Sequence, residues 1–163
     1  MQKAGLGHII WVSSSSARGG SGLLLGPYFT AKTARHSLAL SLSTEIACWG
    51  IETTIVVPGI FTSGTSHFAI SGKPGFLKIA TEYTGREGPL KGVETVMMDD
   101  IDRQFPKDTS PELVSNAILK AVEAPKGSKP FRVSVHPFQD GSDDIIALAG
   151  DKYEEFLERC ENL

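Results

Sequence analysis

Residues Thr53–Val57 read TTIVV, five consecutive β-branched side chains with no polar alternation. Such residues favour extended backbone and a pleated, packed surface. A strand with no wet side must be covered on both faces, and strands of that kind belong to parallel sheets sandwiched between helices. Two further segments fit the same sheet. "GHIIWVS" is a short apolar run ending in serines, a buried strand over His8–Val12. "PFRVSVHP" alternates Phe131, Val133 and Val135 with Arg132, Ser134 and His136, a strand with one wetter face.

Helical patterns separate these strands. From Pro27 to Cys48, Ala34, Leu38, Leu42 and Ile46 recur every four residues as one apolar stripe, with Pro27 in the first turn and Gly50 past the far end. In "TSPELVSNAILKAVEAP", Thr109 and Glu112 suit a capping box, Pro111 the first turn and Pro125 the stop. A last helix over 142–161 puts Ile145, Ala149, Tyr153, Phe156 and Cys160 on one side. Strands alternating with helices predict an α/β fold with a parallel sheet and right-handed crossovers. The interval 60–108, rich in Gly, Thr and Ser, reads as a long irregular segment, which in a compact domain is usually a functional lid or partly disordered.

Composition narrows the function classes. A chain of 163 residues predicts one domain, and its 40% apolar and 21% charged content is that of a soluble globular protein. A net charge of −3 without a Lys/Arg run speaks against nucleic acid as a partner. No apolar stretch approaches the roughly 20 residues that span a bilayer, and the start of the chain does not read as a signal peptide. Cys48 and Cys160 lack metal-like neighbours, so free thiols in a reducing cytoplasm are expected.

The chemistry-bearing stretch is "VSSSSARGGSGLLLGPYFTAK", residues 12–32. As a phosphate loop it fails on spacing: after Gly20 and Gly22 the third glycine falls at 26, with Leu25 where it is needed. Tyr28 and Lys32 lie one helical turn apart on one face. An ammonium so placed favours a phenolate, as general acid/base work near neutrality requires, although such a pair is also an ordinary surface contact. The serines end one strand and "VVPGIFTSGT" ends the next. In open α/β sheets, ligands bind beyond those carboxyl ends. Taken singly, the serines suit a turn and Pro58-Gly59 a strand stop.

Together, the strand into "VSSSS", the "YFTAK" motif, the helix running to "CWGIETTIVVPG", the variable segment and the closing "PFRVSVHP" strand resemble the carboxyl-terminal half of the short-chain dehydrogenase/reductase family. The resemblance implies a three-layer Rossmann-type parallel sheet, truncated to the last three strands and their helices. The first βαβ half, with its glycine turn and catalytic asparagine, has no counterpart. Residues 1–163 then form a single partial domain, with 60–108 as the substrate lid.

The resemblance also implies roles. Tyr28 exchanges a proton with the alcohol or carbonyl oxygen, Lys32 tunes Tyr28 and binds the nicotinamide ribose, and a serine orients the substrate oxygen. Pro58, Gly59, Ile60, Phe61 and Ser63 line the nicotinamide of NAD or NADP, Ser63 standing where the family usually has threonine. The family's serine-to-tyrosine spacing points to Ser15, whereas strand register selects Ser14. Register is the stiffer ruler, so Ser14 is preferred and Ser15 follows. Ser13 and Ser16 read as turn residues. Phe61, His67, Phe68, Phe76 and Tyr83 give the lid an apolar lining that suits a small hydrophobic alcohol or ketone. The expected function is hydride transfer between NAD(P)(H) and that substrate, with cofactor binding weakened and activity low in this chain alone. A homo-oligomer or a complementing chain would complete it. The alternative is a non-catalytic truncated relative or gene fragment serving, if at all, as an assembly or interaction module.

Overall fold

The computed structural model describes residues 1–20, 22–61, 72–85, 87–104 and 109–159. They divide into two compact units, one formed by Met1–Ile60 with Glu112–Leu163 and the other by Phe61–Pro111. The first unit carries the sheet. Strands β1 (Gly7–Val12), β2 (Ile51–Pro58) and β3 (Arg132–Val135) run parallel in the order β1-β2-β3. The β-branched run occupies the centre, where Ile55, Val56 and Val57 are completely buried.

Pleat and register sort the side chains into layers. Trp11 pairs with Ile55, and Ile55 with Arg132, so these three share a face. On that face Ile55 and Val57 form a core with Ala39 of α1 (Gly26–Ala47) and Ile146 of α5 (Ser142–Arg159), and Trp11 packs against it. Val56 pairs with Val133 on the opposite face. There Val133 and Val135 line a groove with Leu113, Ala117 and Ala121 of α4 (Glu112–Glu123). Helices on both faces of a parallel sheet make the expected three-layer, Rossmann-like α/β arrangement.

The turns have identifiable causes. Between α1 and β2, Gly50 has φ +66°, and a Cβ there would lie 2.6 Å from the Gly5 carbonyl oxygen, so both conformation and space require glycine. Lys129 Nζ donates to the Val122 and Ala124 carbonyls at 2.8 and 2.6 Å and satisfies the end of α4. Thr54 Oγ1 donates to the Pro130 carbonyl at 2.6 Å, so it must accept from His8 Nε2, 2.8 Å away. That bond ties β1 through β2 to the lead-in of β3.

The inward face of α5 differs from the one its stripe predicts, whereas in α1 the stripe holds at Leu42, half-buried, and Ile46, buried, and fails at Ala34 and Leu38. In α1 the buried positions are His36, Ala39 and Ile46; Ala34 is exposed and Leu38 is 56% exposed. In α5 Ser142 and Ile146 are buried while Ile145, Ala149, Tyr153 and Phe156 are exposed; Cys160 lies outside the described residues. Ala39 and Ser142 stand at the contact beside Ile46 and Ile146, while Leu38, Ile145, Tyr153 and Phe156 are left outside. The wetter face of β3 is also drier than its alternation suggests. Arg132 is half-buried, and the His136 side chain just beyond the strand is 3% exposed, because α5 lies over them.

The second unit contains α2 (Leu77–Thr84) and α3 (Val93–Gln104). The interval read as irregular therefore holds two helices. Between Gly92 and Pro106 no glycine or proline interrupts the chain, so nothing there breaks a helix despite the loop-like composition around it. No described helix is long and apolar enough to cross a membrane.

Candidate active site

The serine run begins where β1 ends. Ser13 N–H extends the sheet pairing by one residue, donating to the Val56 carbonyl at 2.7 Å. Its hydroxyl lies 2.8 Å from His36 Nδ1 on α1. Ser14 then caps a 3₁₀ turn, Ser15–Arg18, by accepting from the Ser16 N–H at 3.2 Å. With that acceptance made, the Ser14 hydroxyl proton is free to point elsewhere, and Tyr28 Oη stands 3.4 Å away. Ser15 is 3% exposed and directs its hydroxyl toward Asp140. The structure thus brings Ser14 to Tyr28, and Ser15 to the lead-in of α5.

Tyr28 and Lys32 occupy the first turns of α1, where Pro27 fits because an early helical N–H needs no intrahelical acceptor. Tyr28 is 46% exposed, its ring held at its edge by Phe29 with centroids 6.2 Å apart. The Lys32 ammonium lies 5.6 Å from the centroid of the Tyr28 ring, within cation–π range. It also reaches 3.5 Å toward the Ser13 carbonyl. Phenol, hydroxyl and ammonium therefore converge at the carboxyl end of β1. The 3.4 Å hydroxyl separation is longer than a strong O–H···O bond, and catalytic contacts of this kind often tighten only around a ligand.

Pro58 closes β2 at the same end of the sheet, and Gly59 N–H donates to the Val135 carbonyl at 2.9 Å. A Cβ on Gly59 would lie 2.7 Å from His136 Nδ1. His136 is held from its other side, where Nε2 is 3.1 Å from Asp143 Oδ1 on α5. Ile60 ends the first unit, Phe61 belongs to the second, and Ser63 lies outside the described residues. His67 and Phe68 also lie outside them, whereas Phe76 and Tyr83 are exposed.

Sequence reading missed the supporting groups. Burial, reinforced by the charge of Arg132, holds His36 below the ordinary imidazole pKa, so His36 is neutral near pH 7. For Asp140, burial opposes ionisation, but the neighbouring Ser142, the Arg18 guanidinium and the Ser15 hydroxyl together outweigh it and lower its pKa. Arg18 Nη1 is 2.7 Å from Asp140 Oδ2, and Ser142 N–H donates to Asp140 Oδ1 at 3.0 Å. His36 could have been noticed as the next inward position after Lys32; Asp140 had no local signal. Among the described residues no cluster of His, Cys, Asp and Glu could hold a metal ion.

Residues 1–72 match the short-chain dehydrogenase family model. Solved structures share the fold. A short-chain dehydrogenase from Streptomyces avermitilis aligns with 99% of this chain at 21% identity and a TM-score of 0.58, with 52% of its own length covered. A protein assigned to the short-chain dehydrogenases/reductases from Burkholderia xenovorans aligns with 88% of the chain at 16% identity and a TM-score of 0.53, with 48% covered. The chain spans about half the length of these structures. No curated protein matches it.

Proposed function

We propose that the chain, whose segment bearing Ser14, Tyr28 and Lys32 matches the short-chain dehydrogenase family model, supplies the proton-transfer centre for hydride exchange between NAD(P)(H) and a small hydrophobic alcohol or ketone. The observation that carries this reading is the convergence of Ser14 Oγ and Tyr28 Oη, 3.4 Å apart, with the Lys32 ammonium over the tyrosine ring.

NAD(P)(H) supplies or accepts the hydride when bound; the residues of this chain manage the oxygen and its proton. In the reducing direction Tyr28 hands its phenolic proton to the carbonyl oxygen as the carbonyl carbon gains the hydride. Ser14, whose oxygen already accepts from Ser16 N–H, donates its own proton in a hydrogen bond to that same oxygen. Lys32 stabilises the negative charge left on Tyr28 until water returns a proton, which the half-exposed ring permits. Oxidation runs the same steps backwards.

The donor set fits the nicotinamide end of the cofactor. Tyr28 Oη and Lys32 Nζ suit ribose hydroxyls, and Pro58-Gly59-Ile60 offers backbone for the carboxamide. For the adenosine end the described residues provide no comparable cradle. A second reading, a non-catalytic assembly module, is favoured by the position of β1 at the sheet edge, where among the described residues only β2 pairs with it. A reducing cytoplasmic setting and a homo-oligomer or complementing chain belong to either reading.

Calorimetric titration with NADH and NADPH, followed by turnover assays on a panel of hydrophobic ketones, separates the two. Micromolar binding with turnover that Tyr28→Phe abolishes is the expected result. Neither binding nor turnover, with or without a complementing chain, would leave the assembly reading in its place.

A further inference from the structure

Taking Tyr28, Lys32 and Ser14 as the reacting set, we propose that His36 is a positioning residue for it, acting through Ser13. Every polar group of Ser13 has a partner on a different element or turn. Its N–H is fixed to Val56 of β2 at 2.7 Å, its hydroxyl to His36 Nδ1 at 2.8 Å, and its carbonyl faces Lys32 Nζ at 3.5 Å. Ser13 is 3% exposed and His36 7% exposed, so the Ser13–His36 bond is screened from competing water.

The geometry links that bond to both sides of the site. Lys32 and His36 are one helical turn apart, stacked along the inner face of α1. Both reach the same serine, one through its carbonyl and the other through its hydroxyl. With N–H and hydroxyl fixed, the Ser13 Cα has one orientation, from which its carbonyl faces Lys32. The peptide plane that carries that carbonyl also sets the start of Ser14, whose hydroxyl meets Tyr28 at 3.4 Å. Releasing the hydroxyl lets the Ser13 Cα and the plane it carries shift, which draws the carbonyl away from Lys32 and Ser14 away from Tyr28. A histidine that merely filled space would not pass its loss on to Lys32 and Ser14.

The test uses the full chain, isotope-labelled, with Ser13→Ala, His36→Leu, His36→Asn and the double variant Ser13→Ala/His36→Leu. Asparagine keeps a polar atom near the Nδ1 position; leucine keeps volume alone. In folded variants, Ser13→Ala and His36→Leu should each shift the Ser14 amide and the Lys32 side-chain methylene resonances. The double variant should add nothing to either single change, and His36→Asn should restore the wild-type positions. In the turnover assay the same variants should lower kcat about tenfold at unchanged KM, a size common for hydrogen-bonded neighbours.

Unchanged Lys32 and Ser14 signals in folded His36→Leu, or shifts that simply add in the double variant, would overturn the proposal. Should His36→Leu fail to fold, Ser13→Ala, which removes one oxygen, decides it alone: unshifted Lys32 and Ser14 signals overturn it. Wild-type protein without turnover would instead count against the proton-transfer reading, while the resonance shifts still decide the coupling.

Discussion

A serine hydroxyl has one proton to give and two lone pairs to fill, and residues 13–16 commit these to different neighbours. Ser13 is spent on His36, Ser15 on Asp140, and the Ser16 N–H on Ser14, which leaves the Ser14 proton directed at the tyrosine side. Ser14→Ala should therefore lower kcat by about 10²–10³, the usual cost of removing one preorganised donor to a reacting oxygen. Ser15→Ala should leave kcat near wild type and instead lower unfolding free energy by about 1 kcal/mol, read by urea denaturation. Equal kcat losses in the two variants would contradict this division of labour. Tyr28→Phe keeps the half-exposed ring but removes the proton, so kcat should fall by about 10²–10⁴ with an unchanged unfolding midpoint. Gly59→Ala belongs at the same scale. Its methyl would meet His136 Nδ1 at 2.7 Å, and overpacking of that kind costs about 1–3 kcal/mol.

At the scale of elements, Asp140 fastens the serine turn to the start of α5, and the histidines fasten the strands and α1. Burial and then Lys129 lower the His8 pKa against an opposing Glu52; burial and then Arg132 lower that of His36. An unfolded chain takes up protons on both imidazoles near 6.5 while the folded chain resists. Their stabilising contribution is thus full above that pH and is lost as pH falls through the lower folded values. Asp140 acts in the same sense within the carboxylate range, below its reference value of 3.8. Urea midpoints measured from pH 8 downwards should fall in two stages. Asp140→Asn should reduce the second stage and cost about 1.5 kcal/mol at pH 7, the lower end for a charged hydrogen bond. A flat profile between pH 7 and 5 would contradict the histidine assignment. The elements themselves were legible because a run such as Thr53–Val57 admits only a two-sided burial, and because Tyr28 and Lys32 mark a helix start beside a strand end. The inward helix faces were not, since both helices carry apolar residues on more than one face and packing selected Ala39 and Ile46 in α1 and Ile146 in α5 over Leu38, Ile145, Tyr153 and Phe156. His36 and Asp140 were hidden because their partners stand 23 and 122 positions away in sequence.

At the scale of the whole chain, that selection leaves a large apolar exterior. Leu38 on α1 is 56% exposed, Tyr153 and Phe156 on α5 are 54% and 52% exposed, and β1 offers one edge without a paired strand among the described residues. Apolar side chains exposed in number, together with an uncovered strand edge, drive association with another surface. Purified chain should therefore self-associate at micromolar concentration, with light-scattering mass and thermal midpoint both rising with concentration as mass action requires. Leu38→Lys and Phe156→Lys remove apolar surface that the sheet does not use, so they should lower the scattering mass while leaving the midpoint of the dilute protein unchanged. A variant strand edge tests the other contribution: Ile9→Lys adds a charge to an outer strand and should reduce association further, at some cost to the half-buried side of β1. A chain that stayed monomeric at every concentration and melted at one high, concentration-independent temperature would show that neither the helix exteriors nor the β1 edge needs a cover.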